Sequence, residues 1–258
     1  MSTAKPKARL YVTADLRAGE PAELTAGQIH YLVHVMRIAP GDMLALFNGR
    51  DGEWLAQAES VSRKRCTLRA IEQTRAQEPA GPADDVWLAF APVKKTRTDF
   101  IVEKATELGA ARLLPVFTEH TASSRVNIER LQAIAVEAAE QSQRLDVPDI
   151  APAHSLNELC ASWPAARILF VLDETGTGEP PVAPLAAALR DAGNPAPCGF
   201  LVGPEGGFSA AELDELRKLP FVNAVTLGPR ILRAETAALA ALACYACHQA
   251  LAGARSGA

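Results

Sequence analysis

The sequence predicts an α/β domain built on a mostly parallel sheet and preceded by a small β-barrel, and three observations carry that prediction. From Val86 onward, short apolar runs alternate with helical stretches. Apolar runs without polar alternation are how parallel strands covered on both faces read. Residues 9–75 instead hold short extended runs separated by turn signals, for which a small barrel is the natural closure. Between the two, Gln77–Asp85 mixes Pro, Gly and acid, the composition of a linker. The expected division is a barrel at 1–76, a linker at 77–85 and an α/β domain at 86–258.

In the first part, His30–Met36 reads as a short helix and Met43–Phe47 as a strand. Asn48-Gly49-Arg50-Asp51-Gly52 then punctuates a hairpin, because Asn, Asp and Gly tolerate positive φ. Extended runs resume at Glu53–Ala58 and Cys66–Ile71. In the second part, Val86–Ala91 and Leu113–Phe117 read as strands. Thr98–Leu108 has helical spacing and stops at Gly109, a C-terminal helix signal. Asn127 caps a helix expected to run to about Leu145, with Ile128, Leu131 and Ile134 on one face. Ile168–Leu172, Gly199–Val202 and Ala224–Leu227 are further buried-strand runs, and Ala237–Leu251 is a final Ala-rich helix.

The chain has 258 residues, 48% hydrophobic and 22% charged, a globular composition long enough for two domains. Met1–Ala8 is polar with no apolar run behind it, and no stretch approaches the roughly 20 apolar residues of a membrane helix. The expectation is a cytoplasmic protein with reduced cysteines and no membrane partner. The net charge of -4 does not by itself suggest a nucleic-acid binder. Residues 1–75, however, hold 11 Lys+Arg against 8 Asp+Glu, while the remainder holds 15 against 22. That asymmetry points the N-terminal part at a polyanion.

Parallel sheets place ligands at the carboxyl ends of their strands, and two such ends stand out. One is Leu201-Val202-Gly203-Pro204-Glu205-Gly206-Gly207-Phe208, followed by the capping box Ser209–Glu212. Its glycines allow sharp bends and close ligand approach. The other is Leu227-Gly228-Pro229-Arg230-Ile231-Leu232-Arg233-Ala234-Glu235-Thr236. Neither fits a P-loop or a dinucleotide fingerprint.

Together the loops resemble the RsmE family of 16S ribosomal RNA uracil-N3 methyltransferases, in the SPOUT superfamily. Gly203–Phe208 matches its GPEGG-F turn and Leu227–Ala237 its LG-x-x-ILR-x-ETA segment. Lys104–Gly109 resembles K-x-x-ELG. Glu137–Arg144, followed by Pro148, resembles E-A-x-EQ-x-x-R. His30–Arg37, with Gly41-Asp42 and Asn48-Gly49, resembles the family's PUA-like RNA-binding domain. Ala234 departs from the family's usual Thr.

The resemblance implies a SPOUT domain tied into a deep trefoil knot, a homodimer, and S-adenosylmethionine (SAM) held by the knot loops. It places that cofactor against Leu172, Leu201, Gly203, Pro204, Glu205, Gly206, Leu227, Gly228, Ile231, Leu232 and Thr236. It implies 16S rRNA, or the small ribosomal subunit, as partner. Methylating uracil N3 requires alignment and removal of a weakly acidic proton. Glu205 is the candidate base or acceptor. Arg233 or Arg144 would stabilise the uracil oxygens, with Gln141 three residues before Arg144 on one helical face. Arg233 could instead pair with Glu235.

RNA contact should be mainly phosphate neutralisation. Candidates are Arg9, Arg37, Arg63, Lys64, Arg65, Lys94, Lys95 and Arg97, with His34. His30 and His34 have an i, i+4 spacing but no third ligand nearby, so no metal is expected. Cys244-Tyr-Ala-Cys247-His248 matches a haem-attachment pattern, but in an Ala-rich helix without an export signal it reads as buried structural cysteines. The alternatives are a related enzyme acting on another RNA position, or a non-catalytic RNA-binding assembly factor.

Overall fold

The computed structural model describes residues 5–79, 81, 85–173, 180 and 197–256. They form two compact units, Met1–Pro79 with Ala139–Val147, and Ala80–Ala138 with Pro148–Ala258. The sequence division thus differs at one place: Ala139–Val147 groups with the first unit.

The first unit is a five-stranded sheet of β1 (Arg9–Tyr11), β2 (Pro21–Ala22), β3 (Met43–Phe47), β4 (Glu53–Ser62) and β5 (Arg65–Arg75), in the order β1-β3-β4-β5-β2. Only β1–β3 is parallel. Helix α1 (Ala26–His30) starts four residues before the expected helix, because Thr25 and Gln28 form a complete capping box. It continues into a π-helical turn at Tyr31–Val35. The β3–β4 turn is built around Asn48, 3% exposed. Its amide donates to Ala14 O and Asp51 Oδ2 at 2.9 and 2.7 Å, and its carbonyl accepts from the Arg50 and Asp51 N–H groups. Gly52 has φ +73, and a Cβ there would lie 2.1 Å from Arg75 O, so only glycine fits. Leu10, Leu32, Leu44, Leu46 and Leu68 fill the core beneath.

Arg9 explains why Ala139–Val147 joins this unit. Its guanidinium lies over the Phe47 ring at 3.8 Å and pairs with Glu53 at 2.6 Å. It also donates to Ala139 O at 2.8 Å and to Arg144 O. Tyr11 N–H reaches Glu140 Oε1 at 2.9 Å, and Arg75 donates to Gln143 O at 2.8 Å.

The second unit holds β6 (Val86–Phe90), α2 (Lys95–Glu107), β7 (Arg112–Phe117), β8 (Asp149–Ile150), β9 (His154–Ser155), α4 (Leu156–Ser162), β10 (Ile168–Leu172), β11 (Cys198–Val202), α5 (Ala210–Arg217), β12 (Val222–Val225) and α6 (Ala234–Ser256). Helix α3 (Ile128–Gln141) begins in it, capped by Asn127, whose Oδ1 accepts the Arg130 N–H at 3.0 Å. The seven strands are parallel, in the order β12-β10-β11-β6-β7-β8, with β9 on β7. The central runs are the most buried, completely so at Cys198–Val202, while the edge strands β12, β8 and β9 are partly exposed. β11 therefore inserts between β10 and β6, and β12 flanks β10. This interleaving brings the loops after β10, β11 and β12 to the same carboxyl edge of the sheet.

Two sequence expectations are corrected. Helix α3 stops at Gln141, and Gln143 takes the left-handed region at φ +62. Arg144 therefore lies past the helix and shares no helical face with Gln141. The last strand spans Val222–Val225, two residues earlier than expected. Residues 80 and 82–84 of the expected linker, and 174–179 after Leu172, lie outside the described residues.

Candidate active site

A cavity of about 340 Å³ opens at that carboxyl edge, lined by Leu172–Asp173, Val202–Glu205, Gly207 and the continuous stretch Val225–Ala234, with Ala237. The volume lies within the range of small-molecule sites. The loop after β11 is a tight turn: Gly207 N–H bonds to Pro204 O at 3.0 Å, and Gly207 has φ +70. Phe208, 6% exposed, folds back beneath Gly203. A Cβ on Gly203 would meet the Phe208 ring at 3.0–3.3 Å. Ser209 then opens α5 with a capping box to Glu212, and Glu212 also accepts the Glu119 N–H at 2.8 Å.

The loop after β12 forms the other wall. Gly228 has φ +105, a backbone state that other residues adopt only under strain. Ile231 is 85% exposed, an apolar side chain standing at the cavity rim. Asp173 closes the floor, with its N–H on Val225 O at 2.9 Å and its buried carboxylate paired with Arg217 at 3.0 Å. From α2, Arg97 reaches Glu205 and Glu235, each at 3.5 Å. The second carboxylate oxygen of Glu235 is buried without a hydrogen-bond donor among the described residues. Arg230 and Arg233 are exposed, line the cavity and have no ion-pair partner among the described residues. The site thus offers an apolar rim, two carboxylates each held by an arginine, and two cations unpaired among the described residues.

Comparison with known proteins shows the family of the chain. Residues 80–246 match the model of the RNA methyltransferase domain, and residues 24–71 that of the RNA methyltransferase PUA domain. The chain belongs to this RNA methyltransferase family. It is 32% identical to ribosomal RNA small subunit methyltransferase E of Rickettsia conorii, over 91% of this chain and 93% of that protein. It is 33% identical to the protein of the same name from Synechocystis, over 91% and 76%. Among solved structures, the small subunit methyltransferase E of Neisseria gonorrhoeae, bound to S-adenosyl methionine, superposes with a TM-score of 0.78 at 28% identity, covering 95% of this chain and 97% of that one. A Legionella pneumophila methyltransferase in complex with SAM gives 0.81 at 26% identity, covering 95% and 98%.

In this family member, most residues expected at the cofactor line the cavity: Leu172, Gly203, Pro204, Glu205, Leu227, Gly228, Ile231 and Leu232. Three do not. Leu201 is fully buried in the core beneath, and Val202 lines the cavity instead. Gly206 faces His120, whose Cβ would lie 3.1 Å from an added Cβ, and the positive φ belongs to Gly207. Thr236 is exposed on α6. Ala234, where the family usually has Thr, is buried and lines the cavity. Of the catalytic candidates, Glu205 and Arg233 share the cavity. Gln141 is exposed in the first unit, and Arg144 pairs there with Asp146 at 2.9 Å. The alternative Arg233–Glu235 pair is not formed; Arg97 takes Glu235.

Arg63, Lys64 and Arg65 are exposed at the β4–β5 turn, and His34, Arg37, Lys94 and Lys95 are exposed as well. Arg9 is not a surface cation, because burial beside Glu53 places it inside the first unit, with burial also lowering its pKa. His30 and His34 lie with ring centroids 4.8 Å apart and planes tilted by 40°. The cysteine expectation fails in part: Cys247 is exposed and Cys244 only half-buried. Sequence reasoning missed Asp173, Thr226 and Arg230. Arg230 stood inside a motif, but Asp173 carries no local signal beyond ending an apolar strand.

Proposed function

We propose that this chain uses SAM to methylate N3 of a uridine in 16S rRNA of the small ribosomal subunit. The observation that carries the proposal is the meeting of Glu205 and Arg233 in one cavity with the two glycine-bent loops. The donor set fits the cofactor. Backbone groups around Thr226–Gly228 suit adenine and ribose, Ile231 and Leu232 supply apolar walls, and the free cations suit a carboxylate or a uracil oxygen. SAM brings an activated methyl group. The residues must therefore align the nucleophile, which oriented reactants make worth roughly 7–11 kcal/mol, and manage one proton.

In this reading Glu205, oriented by Arg97, accepts the N3 proton, and Arg233 stabilises the negative charge that develops on the uracil oxygens. The interleaved order β12-β10-β11-β6 supports threading of the three loops as a deep trefoil knot. The five-stranded first unit supports a PUA-like barrel that places RNA. A homodimer working in the cytoplasm completes the reading; an exposed Ile231 at the cavity rim is a side chain that a second copy would cover. A rival non-catalytic binding role predicts no methyl transfer. Labelled SAM incubated with small subunits tests the two. Incorporation with the intact chain, lost in Arg233→Ala at unchanged SAM affinity by calorimetry, supports the enzyme; no incorporation rejects it.

A further inference from the structure

A second cavity, of about 670 Å³, lies in the same unit. It sits between the loop that leaves β6 for α2 and the loop that leaves β7 for α3, so it too opens at carboxyl ends of parallel strands. Its wall includes Lys95, Asp99, Arg125 and Arg130. Arg130 and Asp99 pair with each other, which leaves Lys95 and Arg125 as uncompensated charges. Both side chains are exposed and have no partner among the described residues. The starts of α2 and α3 face the same space, adding two helix N-termini to a positive surface. Val93 and Leu131 make part of the wall apolar.

Helix α2 joins this cavity to the first one. Lys95 and Asp99 face the second cavity, while Arg97 on the same helix holds Glu205 of the first. We propose that the second cavity is a subsite for a nucleotide flanking the target, with Lys95 and Arg125 gripping its phosphate. The proposal rests on the rRNA-methylation reading above. It adds Arg125, which no motif indicated, and it makes Lys95 one of the groups that fix the strand so that the target base enters the first cavity.

The test compares the full-length chain with Lys95→Ala/Arg125→Ala and with Lys95→Arg/Arg125→Lys, on small ribosomal subunits at two salt concentrations. The Ala variant should raise KM for the subunit about tenfold. It should also flatten the salt dependence of RNA affinity by about 0.7 per lost contact. SAM affinity and Tm should stay at wild-type values, because both side chains are exposed and unpaired. The charge-keeping variant should restore most of the KM. An unchanged KM and salt slope in an Ala variant that still methylates overturns the subsite. A wild-type chain that transfers no methyl group overturns the underlying reading instead. A variant with weakened SAM binding would place these residues at the cofactor and also overturn the subsite.

Discussion

Gly228 and Gly203 are required in the two cavity loops for different reasons, and substitutions should separate them. Gly228 has room around it but a left-handed backbone, so Gly228→Ala adds strain of about 1–3 kcal/mol without a clash. We expect weaker SAM binding by calorimetry and a Tm lower by several degrees. Gly203 has an ordinary backbone but touches Phe208, so Gly203→Ala must displace a buried ring and should lower Tm as well. Unchanged SAM affinity in Gly228→Ala would contradict this division. Asp51 offers a residue-scale test of pH dependence in the first unit. The Leu16 N–H, then the Asn48 amide, hold its carboxyl below the usual carboxylate range. The folded value lies below the unfolded value of about 3.9, so the stabilisation is present above that pH and fades as pH falls through the folded value. Asp51→Asn should therefore cost about 1–2 kcal/mol at neutral pH, with the gap to wild type closing in acid. A gap independent of pH would show that the charge is not what matters. Cys198, pushed up to about 12 by burial, should resist alkylation in the folded chain.

At the scale of elements, the exposed β4–β5 turn carries Arg63, Lys64 and Arg65 on an antiparallel hairpin of the first unit. Phosphate contacts position RNA without reading sequence. Replacing all three with Ala should weaken RNA binding and flatten its salt slope by roughly two to three units, while turnover at saturating substrate survives. A fall in maximal turnover at unchanged RNA affinity would contradict that role. How far such elements could be read from sequence depended on how local their signals are. β3, β10 and the helix stop at Gly109 were legible because apolar runs and glycine act over a few residues. The two-residue strands β2, β8 and β9 were not, since their pairing is set by the neighbouring strand. The α3 stop was missed because Gln143 is left-handed without being glycine, in a segment tied down by Arg9 and Arg75, which lie far away in sequence. The same long-range bonding ties Arg9, through the Arg144 carbonyl, to the segment that carries Arg144. Glu205 and Arg233 were legible because their motifs sit at strand ends, where parallel sheets put ligands.

For the whole molecule, charge distribution and site geometry point to a shaped target. With a net charge of -4, the chain cannot rely on nonspecific attraction to a polyanion. Assembled small subunits should therefore be methylated faster than naked RNA, and equal rates on a short oligonucleotide would contradict this. The central claim is methylation of uracil N3 in 16S rRNA. Its most direct test incubates the chain with SAM and small subunits from a strain lacking this protein, then digests the rRNA and identifies the modified nucleoside by mass spectrometry. We expect 3-methyluridine in 16S rRNA and none with Arg233→Ala. A methyl group on a ribose hydroxyl, on another base position or on no nucleoside at all would contradict it.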